Sequence, residues 1–308
     1  MRVLVLGSTG FLGRHITEHL RALSGVRVLH AGRSPGADLR VDLTTTTVPA
    51  LAADLRALAP DAVVNCAGAV GGGPLLLAET NARGPAVLCE ALTAADIPVR
   101  LVHLGSAGEY GTTAGQQPQP LGEDSATCPQ GAYGATKLAG SLTVAEAELD
   151  AVVLRVFNPL GPGSPGTSLP GRLADELLRA GPDGTVRVGD LSAYRDFVDA
   201  RDVARAAALA TTTPGPLPRV LNIAGGSATR VREVAEGLAR ISGFHGRIDE
   251  NGTGSGRSSA ISWQQADITA AATALGWHPE RTLATSLADL WNARTGTPPA
   301  PTPTPAPV

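Results

Sequence analysis

Tyr133 and Lys137 stand four residues apart, in Tyr133-Gly134-Ala135-Thr136-Lys137. On a helix that spacing puts a phenol and an ammonium on one face. A cation beside a phenol stabilises the phenolate, so the tyrosine exchanges a proton nearer neutral pH. Lys137 is also the only lysine in the chain, since 24 of the 25 Lys and Arg residues are arginine. A chain that uses Arg wherever a generic cation suffices singles out the one position that stays Lys. Ser106, in Leu104-Gly105-Ser106-Ala107-Gly108-Glu109-Tyr110, offers a hydroxyl to a substrate carbonyl or alkoxide. The other reading of Ser106 is a turn cap.

A second group of residues suits a dinucleotide. Gly7-Ser8-Thr9-Gly10-Phe11-Leu12-Gly13 follows an apolar run and opens a helical pattern. Glycines at this spacing let the chain turn tightly and bring backbone N–H groups up to a pyrophosphate at the positive end of a helix. After the second apolar run, where an NAD site carries an acid for the ribose 2′-hydroxyl, stand Arg33 and Ser34. A guanidinium takes a 2′-phosphate bidentately, which favours NADP(H), with NAD(H) the alternative cofactor. The other reading of Arg33 is a solvated loop arginine. Asp42 can accept from an adenine amino group. Asn65-Cys66-Ala67-Gly68 ends the third run, either beside a cofactor or as a plain loop start.

The elements that must position these residues follow from periodicity. Apolar runs at 3–6, 26–29, 62–66, 99–104 and 152–157 alternate with helical patterns over 11–23, 51–58, 79–95 and 133–149. Continuous Val/Leu runs between helices predict a parallel sheet covered on both faces. The repeated β-α order predicts a doubly wound α/β domain, a Rossmann fold, over 1–158. Residues 159–294 read as a smaller, mixed α/β substrate-binding lobe, some of whose segments return to the sheet. It starts with a Gly/Pro loop at 159–170. Helices are predicted near 173–178, 203–210, 231–241, 268–275 and 283–291, and strands near 186–188 and 220–223. The Pro-rich tail, 295–308, is expected to be extended and disordered.

Composition excludes several classes. With 43% apolar and 17% charged residues the chain is globular. A net charge of −3 with scattered Arg argues against nucleic acid or an anionic membrane as partner. No apolar run is long enough to span a bilayer, and the N-terminal MRVLVLG is not a signal peptide. Cys66, Cys89 and Cys128 lack metal or disulfide spacing, and the six His are scattered. The expectation is a cytoplasmic protein without a metal site.

Gly7, Gly10 and Gly13, the 65–68 stretch, Ser106, Tyr133 and Lys137 together resemble the extended short-chain dehydrogenase/reductases, the NAD(P)-dependent epimerase/dehydratase group of nucleotide-sugar enzymes. The resemblance continues through Asn81-Ala82-Arg83-Gly84, Leu154-Arg155-Val156-Phe157-Asn158-Pro159, Arg195-Asp196-Phe197-Val198 with Asp202, and Leu275-Gly276-Trp277-His278-Pro279. It implies Tyr133 as acid/base, Lys137 as modulator of its pKa and ribose ligand, and Ser106 as carbonyl partner. It implies cofactor contacts at Gly7, Thr9, Gly10, Phe11, Leu12, Gly13, Arg33, Ser34, Asp42, Leu43, Cys66, Ala67, Gly68, Asn81 and Phe157. Asn81 is otherwise a helix-start residue.

Ala107 and Asn158 would contact substrate, and Arg195 and Arg257 would hold its diphosphate or serve as ordinary ion-pair arginines. A homodimer through the helices after the third and fourth strands is also implied. The family's sugar dehydratases carry Asp-Glu directly after the Ser/Thr, where this chain has Ala107 and Gly108. Glu109 is one residue displaced, which aims it elsewhere if the segment is extended. The expected function is an NADP(H)-dependent ketoreductase of a nucleotide-linked sugar, for example a 4-keto-6-deoxy sugar. The alternatives are a nucleotide-sugar 4-epimerase with tightly held NAD, a reductase of a non-sugar carbonyl, and a non-catalytic NADP-binding sensor.

Overall fold

The apolar runs form a seven-stranded parallel sheet in a computed structural model that describes residues 1–112, 119–251 and 261–296. Its strands are β1 (Arg2–Leu6), β2 (Arg27–Gly32), β3 (Leu39–Arg40), β4 (Ala62–Asn65), β5 (Arg100–Ser106) and β6 (Asp150–Val156), and Val220–Ile223 is the seventh. Four short strands precede that last one in the chain: β7 (Pro159–Leu160), β8 (Thr185–Arg187), β9 (Tyr194–Asp196) and β10 (Val198–Asp199). Val220–Ile223 is therefore β11, and β12 (Ala228–Arg230) and β13 (Arg247–Asp249) follow it.

The spatial order is β11-β6-β5-β4-β1-β2-β3. It reverses at β1, so a crevice opens beyond the carboxyl ends of β1 and β4, where ligands bind in sheets of this type.

Both faces of the sheet are covered, as continuous apolar strands require. One face carries α1 (Phe11–Ala22), with Ile16 and Leu20 turned inward. The other carries α2 (Val48–Leu58), which contributes Leu51 and Leu55. The helix predicted over 79–95 starts earlier, as α3 (Pro74–Ala78), passes through a π-helical turn at Glu79–Arg83, and continues as α4 (Gly84–Ala95). α5 (Gly131–Glu146) packs beside α4 on the same face.

The 159–170 stretch holds β7 and the first turn of α6 (Leu169–Ala180). α7 (Ala200–Thr212) joins α1 beneath the sheet. α8 (Val231–Ser242), α9 (Thr269–Leu275) and α10 (Leu283–Thr295) complete the chain. Leu173, Val186, Leu238 and Leu290 build a separate core from α6, β8, α8 and α10. Each fully buried Leu or Val contributes about 1.5–3 kcal/mol, so each core supports its own cluster of elements. Trp277 anchors α9 by donating its indole N–H to Asp202 O at 3.0 Å.

Two local expectations change. The two-residue β3 makes the Ser106 strand the fifth, not the fourth. Residues 107–109 form a 3-10 turn rather than an extended segment. The Pro-rich tail beyond 296 and Arg257 lie outside the described residues.

Candidate active site

The crevice at the strand reversal is lined on one side by Gly10, Phe11, Leu12 and Gly13. Gly7 turns at φ +72°, and a Cβ there would stand 2.8 Å from Ala67 N. A Cβ on Gly13 would collide with Gly7 O. These glycines let the turn after β1 press against both α1 and the end of β4. α1 begins at Gly10 without a side-chain cap or an acidic residue in its first turn. Its positive end thus stays open to an anion. Cys66, Ala67 and Gly68 line the crevice from β4. These features fit a dinucleotide pyrophosphate.

Arg33 and Ser34 are exposed just past β2. Asp42 Oδ1 accepts from the Thr44 backbone N–H at 2.9 Å and its hydroxyl at 2.8 Å. Those two bonds hold the Asp42 carboxyl below its usual range. Leu43 is buried against Gly84.

The crevice continues as a cavity of about 690 Å³, within the usual size of a ligand site. Ser106, at the end of β5, and Tyr133, in the first turn of α5, meet on its wall. The Tyr133 hydroxyl donates to Ser106 Oγ at 3.2 Å. A Cβ on Gly108 would stand 3.3 Å from Tyr133 Cε1, and one on Gly134 would stand 2.5 Å from Gly108 O. Two glycines therefore allow α5 to close on the 3-10 turn and set the phenol. Lys137 lies one helical turn on, is 6% exposed, and donates from Nζ to Leu104 O at 2.6 Å. Burial pushes the ammonium below its ordinary range, and the Glu109 carboxylate pulls it back up.

Glu109 is fully buried. It closes a capping box: Gly108 N donates to Ser106 Oγ at 3.1 Å, and Ser106 N donates to Glu109 Oε1 at 2.7 Å. Ser106 is thus a turn cap, and it also lines the cavity. His103 is buried in β5 behind this wall, and burial keeps it neutral by driving its pKa well down. Its Nδ1 pairs with Asn65 Nδ2 at 3.2 Å, while Nε2 has no hydrogen-bond partner among the described residues.

The far end of the cavity reaches Asn158 and Arg195. Asn158 holds φ +29°, a left-handed conformation that Asn tolerates better than most residues. Its Nδ2 donates to Asp196 O at 2.7 Å. Arg195 is 6% exposed and donates to Tyr194 O at 2.7 Å and Ile261 O at 2.6 Å. Burial lowers its pKa to about 10, which leaves it cationic at neutral pH. Asp196 is buried beside it and accepts from Gly225 N and Ala266 N at 2.7 and 3.0 Å. Burial pushes the Asp196 carboxyl up to about 7.

Ala107 lines the cavity with Ser106, whereas Gly7, Thr9, Asn81 and Phe157 do not. Asn81 sits in the π-helical turn and clasps Ala69, accepting from its N–H and donating to its carbonyl, each at 2.8 Å. It therefore fixes a lining loop from behind. Phe157 packs in a small cluster with Tyr110, their ring centroids 5.9 Å apart.

Gln264, which no sequence motif marks, is 3% exposed on the cavity wall. Its Nε2 donates to Ala107 O at 3.1 Å, and its Oε1 accepts from Asn158 Nδ2 at 3.4 Å. It ties the turn after Ser106 to the far wall. Arg172 and Asp190 also line the cavity, and no motif marks either.

Residues 3–224 match the family described as NAD dependent epimerase/dehydratase. A dTDP-6-deoxy-L-talose 4-dehydrogenase (NAD(P)(+)) of Kitasatospora kifunensis is 36% identical over 96% of this chain and 96% of its own length. A GDP-6-deoxy-D-mannose reductase of Pseudomonas aeruginosa is 27% identical over 95% and 98%. Among solved structures, MoeE5 in complex with UDP-glucose and NAD superposes with a TM-score of 0.80. It is 29% identical, over 96% of this chain and 99% of that one.

Proposed function

The chain belongs to the NAD-dependent epimerase/dehydratase family, and on that premise we propose that it is an NADP(H)-dependent ketoreductase of a nucleotide-linked 4-keto-6-deoxy sugar. One observation carries the reading. The Tyr133 and Ser106 hydroxyls meet at 3.2 Å on the wall of a single cavity that runs from the Gly10–Gly13 turn to Arg195. The relatives from Kitasatospora kifunensis and Pseudomonas aeruginosa, both named for oxidoreduction of 6-deoxy sugars, support the same class.

The Gly7–Gly13 turn and the α1 N-terminus would hold the pyrophosphate, Arg33 and Ser34 the 2′-phosphate, and Asp42 with Leu43 the adenine. When bound, the nicotinamide supplies the hydride that reduces the ketone carbon, and it accepts a hydride in the reverse direction. Tyr133 Oη gives its proton to the carbonyl oxygen, while Ser106 Oγ donates a hydrogen bond to that oxygen and steadies it. Lys137 keeps a positive charge near the phenol and favours phenolate once the proton has left. Arg195 offers a buried cation to the diphosphate of the substrate, which anchors the sugar at a fixed depth. Ala107 and Gly108 bring no carboxylate to the ketone from the two positions after Ser106, where the family's dehydratases carry Asp-Glu.

The reading is tested by supplying NADPH and a dTDP-4-keto-6-deoxyhexose and following nicotinamide oxidation. Turnover with net formation of the 4-hydroxy sugar is expected. Release of tightly held NAD on denaturation, with interconversion of 4-epimers and no net reduction, would instead make the protein an epimerase. Cofactor preference has its own test. Arg33→Ala is expected to raise the KM for NADPH about tenfold, the size of one exposed charge-assisted contact. The KM for NADH should stay unchanged, as initial rates with both cofactors will show.

A further inference from the structure

We propose that Glu109 is a positioning residue: a buried carboxylate behind the catalytic wall that fixes Ser106 from below and supplies the negative charge that Lys137 faces. The proposal takes from the preceding reading only that Lys137 acts as an ammonium beside Tyr133.

The geometry is built around the bare Cα of Gly105. A Cβ there would stand 2.8 Å from Glu109 Oε1 and 3.1 Å from Ser141 Oγ. On one side of Gly105, Lys137 Nζ bonds Leu104 O at 2.6 Å. On the other, Ser106 N bonds Glu109 Oε1 at 2.7 Å. Ser141 follows Lys137 by one turn on the same face of α5, and its hydroxyl donates to the same Oε1 at 2.7 Å. The carboxylate thus joins the end of β5 to the helix that carries both Tyr133 and Lys137. Its other oxygen, Oε2, accepts from Arg155 Nε at 2.8 Å, and Arg155 is itself 5% exposed.

Among the described residues, the charges around Lys137 leave Glu109 as its counter-ion. From the turn after β4, Cys66 faces it, but burial pushes that thiol up to about 12, so it is neutral at physiological pH. From β5, His103 faces it and burial keeps it neutral. On its own helix stands Tyr133, whose hydroxyl donates to Ser106 Oγ. From β6, Arg155 brings a positive charge, which Glu109 binds directly and which also lies over the Tyr110 ring, its Cζ 4.7 Å from the centroid. A buried ammonium with only neutral and cationic neighbours would shed its proton near neutral pH. Glu109 opposes that loss.

The single lysine makes the charge state of Lys137 readable. Protein labelled with [15N]lysine gives one side-chain signal, so its pH titration reports Lys137 in the free protein, without cofactor or substrate. In Glu109→Gln the titration midpoint should fall by about one pH unit or more, the effect of removing a close opposite charge. The alkaline limb of the pH–rate profile should move to lower pH with it, because activity requires the ammonium and loses it sooner. In Arg155→Gln, which removes a competing cation, the midpoint should rise. A structural role alone predicts no such opposite movement. An unmoved midpoint in folded Glu109→Gln overturns the proposal. If that variant does not fold, an unmoved midpoint in Arg155→Gln overturns it.

Discussion

Tyr133→Phe is expected to bind its cofactor as the unaltered protein does and to turn over about 10²–10⁴-fold more slowly, the usual contribution of a general acid. The substitution removes one oxygen and leaves the packing in place. The ring is held by Gly108, whose hypothetical Cβ would touch Cε1 at 3.3 Å, and by the approach of Gly134 to Gly108 O. Phenylalanine keeps both contacts. What it lacks is the hydroxyl that donates to Ser106 Oγ at 3.2 Å and that would protonate the ketone oxygen. Ser106 loses that donor but keeps its contact with Gly108 N at 3.1 Å, so the 3-10 turn stays formed. The residual rate reports what Ser106, Lys137 and substrate anchoring achieve without proton transfer from the phenol. Turnover at saturating substrate, with a fluorescence titration of NADPH binding, checks the expectation. Undiminished turnover would remove Tyr133 from the mechanism.

That Ser106, Tyr133 and Lys137 share one cavity wall was legible because their geometry is nearly local. Tyr133 and Lys137 share a helix face by their spacing, and Ser106 ends a strand whose carboxyl end must open on the crevice. The parallel sheet was legible for a related reason. Strands buried on both faces are mostly apolar, so their Val/Leu runs stand out.

Glu109 does turn away from the cavity, but the cause is a turn rather than an extended segment. Ser106-Ala107-Gly108-Glu109 has the spacing of a capping box, Ser followed three residues later by Glu, and the structure forms that box over the 3-10 turn. The box, not strand alternation, is what turns the carboxylate into the interior. Gln264 lay beyond any local signal. It reaches the cavity from a coil whose place depends on Ala266 N bonding the buried Asp196 carboxyl, and on a two-residue contact between Leu121 and Ala266. β3 escaped for want of length, since two residues make no periodicity.

Lys137→Arg is expected to lose about 10²-fold or more of kcat/KM while the formal charge stays the same. Net charge cannot be the reason, because arginine already fills every other basic position in the chain. The reason is room and donor count. The Lys137 head is buried, held to Leu104 O at 2.6 Å, with Cys66 lining the same cavity wall and His103 buried in the adjacent strand.

α5 cannot retreat to admit a larger group. Gly134 already rests on Gly108 O, and a Cβ on Gly140 would meet the Asn81 carbonyl of the π-helical turn. A guanidinium is planar and carries five N–H donors, where an ammonium carries three on a compact head. Forced into this slot, it must either leave donors unpaired in a buried site or push toward Tyr133 and the cofactor crevice. A displacement of about 1 Å at a catalytic group is enough for the stated loss. The arginine variant should still fold, which circular dichroism and thermal melting will show, so the loss is separable from instability. Near-full activity would mean that any cation serves at this position and that the lone lysine is an accident of composition.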